Sequence, residues 1–165
     1  MDYLVEDSSF LLSLLNPKDP FHSAAILTLQ ILRDISSLTL VFPEIVIYET
    51  SFVLMRNGIA PEIIRTKINN LSMIPKVIIF NSDPLTALRY ISRHYNQLTL
   101  SQNSRNITKT NDYLIACAAK DFDAIVLSSD NQMIETLNNL GVKCYNFSKE
   151  ADRIKLKNQF TNIPF

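Results

Sequence analysis

Five short runs of largely apolar residues recur along the chain, separated by stretches with helical periodicity, and this alternation restricts the fold more than any other feature. The runs are Tyr3–Glu6, Leu38–Phe42, Val77–Phe80, Ala124–Ser128 and Val142–Phe147. Runs such as Ile125-Val126-Leu127 lack the polar alternation of a half-exposed strand, so they suit a parallel sheet buried on both faces.

The intervening stretches read as helices. Phe10, Leu11, Leu14 and Leu15 recur at helical spacing before Asn16-Pro17, and Ile26, Leu29, Leu32 and Ile35 mark a helix over His22–Ser37. Pro43 suits the first turn of a helix ending at Asn57-Gly58, and Pro61 opens a shorter one to about Leu71. Further helices are predicted from Pro84 to about Tyr95, from Asp112 to Lys120, and from Gln132 to Leu140, the last ended by Gly141. Five strands alternating with helices imply an α/β fold: a mainly parallel five-stranded sheet flanked by helices, joined by right-handed crossovers. Residues 1–147 are expected to form the single domain, and 148–165 a polar C-terminal tail.

With 165 residues, 47% of them apolar, the chain can bury a core without covalent staples. Its two cysteines, Cys117 and Cys144, form no zinc-like or disulfide pattern. Only Gly58 and Gly141 are present, which excludes glycine-rich phosphate loops. No leader or membrane-spanning run is read, so a cytoplasmic protein without membrane contact is expected. His22 and His94 read as surface or capping residues rather than general bases.

The acids carry the chemistry. Asp7 follows the first strand and Asp130 the fourth, which sets both on the carboxyl edge of a parallel sheet, where such folds bind ligands. Asp112 starts the helix that leads back to the fourth strand, so its N-terminus belongs to the same edge. Glu49 shares a helix face with Ile45, Val46, Phe52 and Val53, and an inward carboxylate calls for a compensating charge. Each acid also has a plainer reading: turn or cap for Asp7 and Asp130, dipole complement for Asp112, an ion pair with Arg56 or a lysine for Glu49. Together, carboxylates without Cys or His make a hard-oxygen set suited to Mg²⁺ or Mn²⁺.

The segments Tyr3–Leu11 (YLVEDSSFL), Pro43–Glu49 (PEIVIYE), Asn111–Ala118 (NDYLIACA) and Val126–Asp130 (VLSSD) resemble, in order, the four motifs of the PIN-domain ribonucleases, especially the VapC-like toxins. The resemblance implies a PIN-like three-layer sandwich in which Asp7, Glu49, Asp112 and Asp130 are catalytic. Asp7, Asp112 and Asp130 would ligate the metal, supported by Ser8 and Ser128. It further implies metal-dependent endonucleolytic cleavage of RNA, a homodimer, and a small antitoxin partner. The chain departs from the pattern in Glu6, an acid directly before Asp7, and in Asn131-Gln132-Met133 after the last motif.

Net charge is zero, yet residues 50–120 carry nine basic and three acidic side chains. Within them, the acid-free stretch 96–111 holds Arg105 and Lys109, candidates for RNA phosphate contact or simply a solvated loop. A receiver domain shares the architecture, but its acceptor aspartate would follow a central strand with a lysine late in the chain. A non-catalytic PIN-like module that binds RNA or protein is the other alternative.

Overall fold

The computed structural model describes residues 2–81, 83, 85, 88, 92 and 110–161. The loop bearing Arg105 and Lys109, His94, and most of the helix expected over 84–95 lie outside the described residues. The elements are β1 (Asp2–Glu6), α1 (Ser8–Leu15), α2 (His22–Arg33), β2 (Leu38–Pro43), α3 (Glu44–Arg56), α4 (Pro61–Ser72), β3 (Val77–Phe80), α5 (Thr110–Asp121), β4 (Ile125–Ser128), α6 (Asn131–Asn139), β5 (Cys144–Asn146) and α7 (Glu150–Thr161).

All five strands are parallel, in the order β3-β2-β1-β4-β5. Every residue of β2 and β4 is buried, as continuous apolar runs demand when helices cover both faces. The chain steps outward from β1 to β2 and β3, then returns to β4 on the other side of β1. Right-handed crossovers therefore send the connections after β1 and β2 to one face and those after β3 and β4 to the other. The reversal falls between β1 and β4, the place at which open parallel sheets generally bind ligands. Leu4, Val5, Phe10, Phe42, Val126, Leu127 and Phe147 lie in the core beneath it, with Phe10 and Phe147 edge to face at 5.1 Å.

Gly58 and Gly141 sit at positive φ just past α3 and α6, the left-handed cap geometry expected of them. Three boundaries differ from the sequence reading. α2 stops at Arg33, because Asp34–Ser37 turn back with Ile35 N bonding Leu32 O and Leu38 N bonding Ile35 O. β5 is shorter than Val142–Phe147, since Val142 N is used to close the end of α6 on Leu137 O. The segment read as a polar tail carries α7, which docks through buried Leu156, the Tyr145 hydroxyl donating to Gln159 at 2.7 Å, and Arg153 donating to Phe147 O at 2.6 Å.

Candidate active site at the strand reversal

Asp7 is the residue at which β1 becomes α1. Its extended backbone (φ −94°, ψ 174°) and side chain form the N-cap of α1, with Oδ1 accepting the Phe10 amide at 3.0 Å. Its own amide bonds Leu127 O of β4 at 3.3 Å, tying the acid to the neighbouring strand. Asp130 repeats the arrangement one strand over: it caps α6, with Oδ1 accepting the amides of Gln132 (2.8 Å) and Met133 (3.3 Å).

Two serine hydroxyls link the caps. Ser128 Oγ donates to Asp7 Oδ2 at 2.5 Å and accepts the Asp130 amide at 2.9 Å. Ser9 Oγ donates to Asp7 Oδ1 at 2.7 Å and accepts the Ser129 amide at 2.9 Å. Each hydroxyl has one proton and spends it on Asp7, so the β4–α6 turn and the first carboxylate are held as one unit. Ser8, expected from sequence to support Asp7, heads α1 and makes no side-chain bond to it. Ser9, one position on, takes that place, and the signal for it is the Asp-x-Ser spacing, which puts a hydroxyl on the second helical residue beside the cap.

The cap bonds fall on one oxygen of each acid. Asp7 Oδ2 has only Ser128 as a partner, and Asp130 Oδ2 accepts no bond among the described residues. A carboxylate offers about four acceptor positions, so both retain capacity for a cation. Asp7 is 4% exposed, and burial raises its carboxyl to about 6 against the opposing hydrogen bonds from Ser128, Ser9 and Phe10. Asp112 lies half-buried in the first turn of α5. Glu49 is half-buried on the flank of α3, between the buried row Val46, Thr50, Leu54 and the exposed Phe52. No ion pair joins it to Arg56 among the described residues.

Among the described residues, no group of three or more acidic, histidine or cysteine side chains lies close enough together to hold an ion. The donor set nevertheless fits a hard cation: carboxylate oxygens with spare acceptor capacity, one of them buried and pushed toward protonation for want of a counter-charge. The thiols stand apart from this set as free side chains, and His22 is occupied with the Ser13 carbonyl, 2.7 Å from Nδ1.

Glu6 is fully buried, and neither of its carboxyl oxygens has a hydrogen-bond partner among the described residues. The register pairs Glu6 with Leu127 and Leu4 with Ile125 and Leu40, so Glu6 faces the same side of the sheet as Leu4, opposite Val5. Burial first, and the adjacent Asp7 charge second, hold its pKa well above the usual carboxylate range.

The sequence profile of the PIN domain matches residues 4–137. The chain belongs to the PIN-domain family. No curated protein sequence matches it. In solved structures this PIN domain resembles VapBC2 from Rickettsia felis bound to a fragment of promoter DNA, with TM-score 0.65, 15% identity, and 87% of this chain and 98% of that chain covered. It is similar to VapBC-1 from nontypeable Haemophilus influenzae (TM-score 0.62, 18% identity, 90% and 100% covered). It is also similar to the sarcin–ricin-loop-cleaving toxin VapC20 of Mycobacterium tuberculosis (TM-score 0.61, 14% identity, 80% and 93% covered). At these identities the likeness is one of fold. Among the described residues no helix is long and apolar enough to cross a membrane.

Proposed function

We propose that this PIN-domain protein is a metal-dependent endoribonuclease, the toxin of a toxin–antitoxin pair. The observation that carries the reading is the double serine clip that fixes Asp7 and Asp130 at the strand reversal, with one oxygen of each acid free of cap bonds.

Asp7, Asp112 and Asp130 would hold Mg²⁺ or Mn²⁺, directly or through water, with Glu49 completing or orienting the shell. A bound ion of this kind supplies a more acidic water and neutralises charge building on a phosphodiester. The chain's part is preorganisation. Ser128 and Ser9 fix the Asp7 carboxylate, and the α6 amides fix Asp130, so neither acid has to reorient when substrate arrives. Arg105 and Lys109 are proposed to contact RNA phosphate. The solved neighbours that contain VapBC pairs support an antitoxin partner, and the VapC20 likeness supports an RNA substrate. A homodimer in the cytoplasm completes the proposal.

The test is purified protein with structured and single-stranded RNA, in Mn²⁺, Mg²⁺ or chelator, beside Asp7→Asn and Asp112→Asn variants. Cleavage is expected only with metal and is lost in both variants. Cleavage that persists in chelator, or that neither substitution touches, refutes the mechanism. Metal-independent RNA binding without cleavage would favour a non-catalytic module, a reading supported by the separation of the acids among the described residues.

A further inference from the structure

A cavity of about 490 Å³ opens at the end of the sheet remote from Asp7 and Asp130. Its residues Leu38 and Lys76 stand where the parallel strands β2 and β3 begin, whereas the two acids stand just beyond the ends of β1 and β4. The walls are apolar: Leu29 and Leu32 of α2, Leu38 and Leu40 of β2, and Ile74 in the turn that leads into β3. Leu38 and Leu40 are two residues apart and therefore share one side of the sheet. Both are buried, as is Leu32, which closes the floor. The volume lies within the range of about 300–1,000 Å³ common to small-molecule sites.

The charges of the lining lie at its exposed mouth, on Arg33 and Lys76, and no lining residue is acidic. Arg33 has Asp34 beside it, Nε 3.6 Å from Oδ1. Lys76 has no acidic partner among the described residues, and its ammonium donates to the Ser36 carbonyl in the turn between α2 and β2. The Lys76 backbone sits at φ 64°, a left-handed conformation that glycine or asparagine adopts at lower cost. Its carbonyl accepts the Leu40 amide at 2.8 Å, so the β2–β3 ladder holds it there. A charged side chain at a position that suits glycine is an outlier that motivates a functional reading.

We propose that this cavity binds a free amphiphile with an unbranched aliphatic chain and a carboxylate head, of which a medium-chain fatty acid anion is the simplest case. The chain lies along Leu32, Leu38 and Leu40, where each methylene taken from water adds to affinity, and the carboxylate meets Lys76 with Arg33 beside it. Charge selects the head group. Asp34 offsets Arg33 and leaves the mouth one uncompensated positive charge, that of Lys76, which matches a carboxylate. A phosphate monoester carries about 1.5 to 2 negative charges at neutral pH and exceeds it. The inference stands apart from the nuclease reading, because no lining residue belongs to the candidate active site.

Isothermal titration calorimetry of the full chain with octanoate, beside butyrate, octanol and octyl phosphate, tests this. Octanoate is expected to bind at one site per chain with a submillimolar dissociation constant and to raise the melting temperature. Butyrate should bind at least about tenfold more weakly for want of chain, and octanol at least about threefold more weakly for want of charge. Octyl phosphate should bind no more tightly than octanoate. Lys76→Asn removes the charge and keeps a residue that tolerates positive φ, so it should weaken octanoate at least about threefold and leave octanol unchanged. Ile74→Trp, at an exposed turn position, should narrow the cavity and weaken both. No saturable octanoate binding up to about 1 mM overturns the proposal. So does octanoate binding that either substitution leaves unchanged, and so does tighter binding of octanol or octyl phosphate than of octanoate.

Discussion

Replacing Asp7 by Asn should stabilise the metal-free protein at neutral pH while abolishing its activity. Burial lifts the Asp7 carboxyl from 3.8 to about 6, so the folded state disfavours its ionised form. At about 1.4 kcal/mol per pKa unit, the shift amounts to ~3 kcal/mol. Below about pH 3.8 the carboxyl is protonated in both states. Between there and about 6 the unfolded chain has released the proton and the folded chain has not, so stability falls as pH rises. Above about 6 both are ionised, and the fold carries the full penalty. Asparagine escapes it, retaining an oxygen for Ser9 and the Phe10 amide, while its amide must face the Ser128 hydroxyl. Losing the Asp7 charge also relieves Glu6 of one of its two upward pushes, in the same stabilising direction. After allowing for the imperfect amide, the gain at pH 7.5 should be ~1–3 kcal/mol. For a chain of this size that is roughly 3–10 °C in melting temperature. Urea unfolding of both proteins in chelator at pH 4.0 and 7.5 reads it directly, because contributions common to both cancel in the difference. The gap should open with pH and nearly vanish at pH 4.0. A gap that is independent of pH, or an Asn variant less stable at pH 7.5, would refute the reasoning. Adding Mn²⁺ should narrow the gap, since an ion at 100 times its dissociation constant adds about 2.7 kcal/mol to the protein that binds it.

Three further outcomes follow from the same bonds. Ser128→Ala removes a donor to Asp7 and the acceptor for the Asp130 amide, so it should cost ~1–3 kcal/mol in chemical denaturation and move the acid limb of any pH–activity profile upward, since that donor lowers the Asp7 pKa. Asp130→Asn should keep the α6 cap and leave the melting temperature within about 2 °C, whereas Asp130→Ala should lose ~1 kcal/mol; both should lose cleavage, which separates the cap from the charge. Glu6→Met should raise stability at pH 7.5 by ~1–4 kcal/mol in urea titration, because it exchanges a buried carboxyl with no bonds for a side chain of similar volume.

Much of the fold was legible because periodicity and burial coincide. Ala124–Ser128 reads as an uninterrupted apolar run, and β4 is buried throughout. Gly58 and Gly141 mark helix ends because no other residue takes positive φ as cheaply. α7 escaped the reading because its apolar anchors are few, buried Leu156 and half-buried Phe160, and much of its attachment is polar: bonds from Tyr145 and Arg153, and the Asn146 amide to Asp152. No periodicity announces a helix held in that way. At the candidate site, the shared edge of Asp7 and Asp130 was readable because strand ends in a parallel sheet fall on one side. Glu49 was harder: Phe52, expected on the core side with it, faces solvent, so the apolar residues of α3 divide into two faces with Glu49 on the border. Ser9 was missed because a hydrogen bond across 120 residues, to Ser129, is a property of topology and not of local pattern.

The capping and functional readings of Asp7 and Asp130 are therefore not rivals. An N-cap aspartate needs one oxygen for helix amides, and each acid here gives Oδ1 to that task. Helix N-termini favour anionic side chains and orient them without help from solvent. Placing two such caps at the ends of adjacent parallel strands brings two oriented carboxylates to the edge where the strand order reverses. The difference between them lies in burial. Asp130 is exposed and stays within reach of water, while Asp7 is enclosed, and the hydrogen bonds from Ser128, Ser9 and Phe10 only partly offset its desolvation. An enclosed carboxylate with three donors still titrating near 6 is one whose ionised form wants a counter-charge, which the described residues of this chain do not supply beside it. Glu6 sharpens the same point from the other side of the strand: a second buried acid, with no donor among the described residues, adds repulsion instead of relief. Asp7 itself thus contributes least to the stability of the metal-free fold in the pH range where it must be ionised to hold a cation, a cost that a cation bound at this edge would offset.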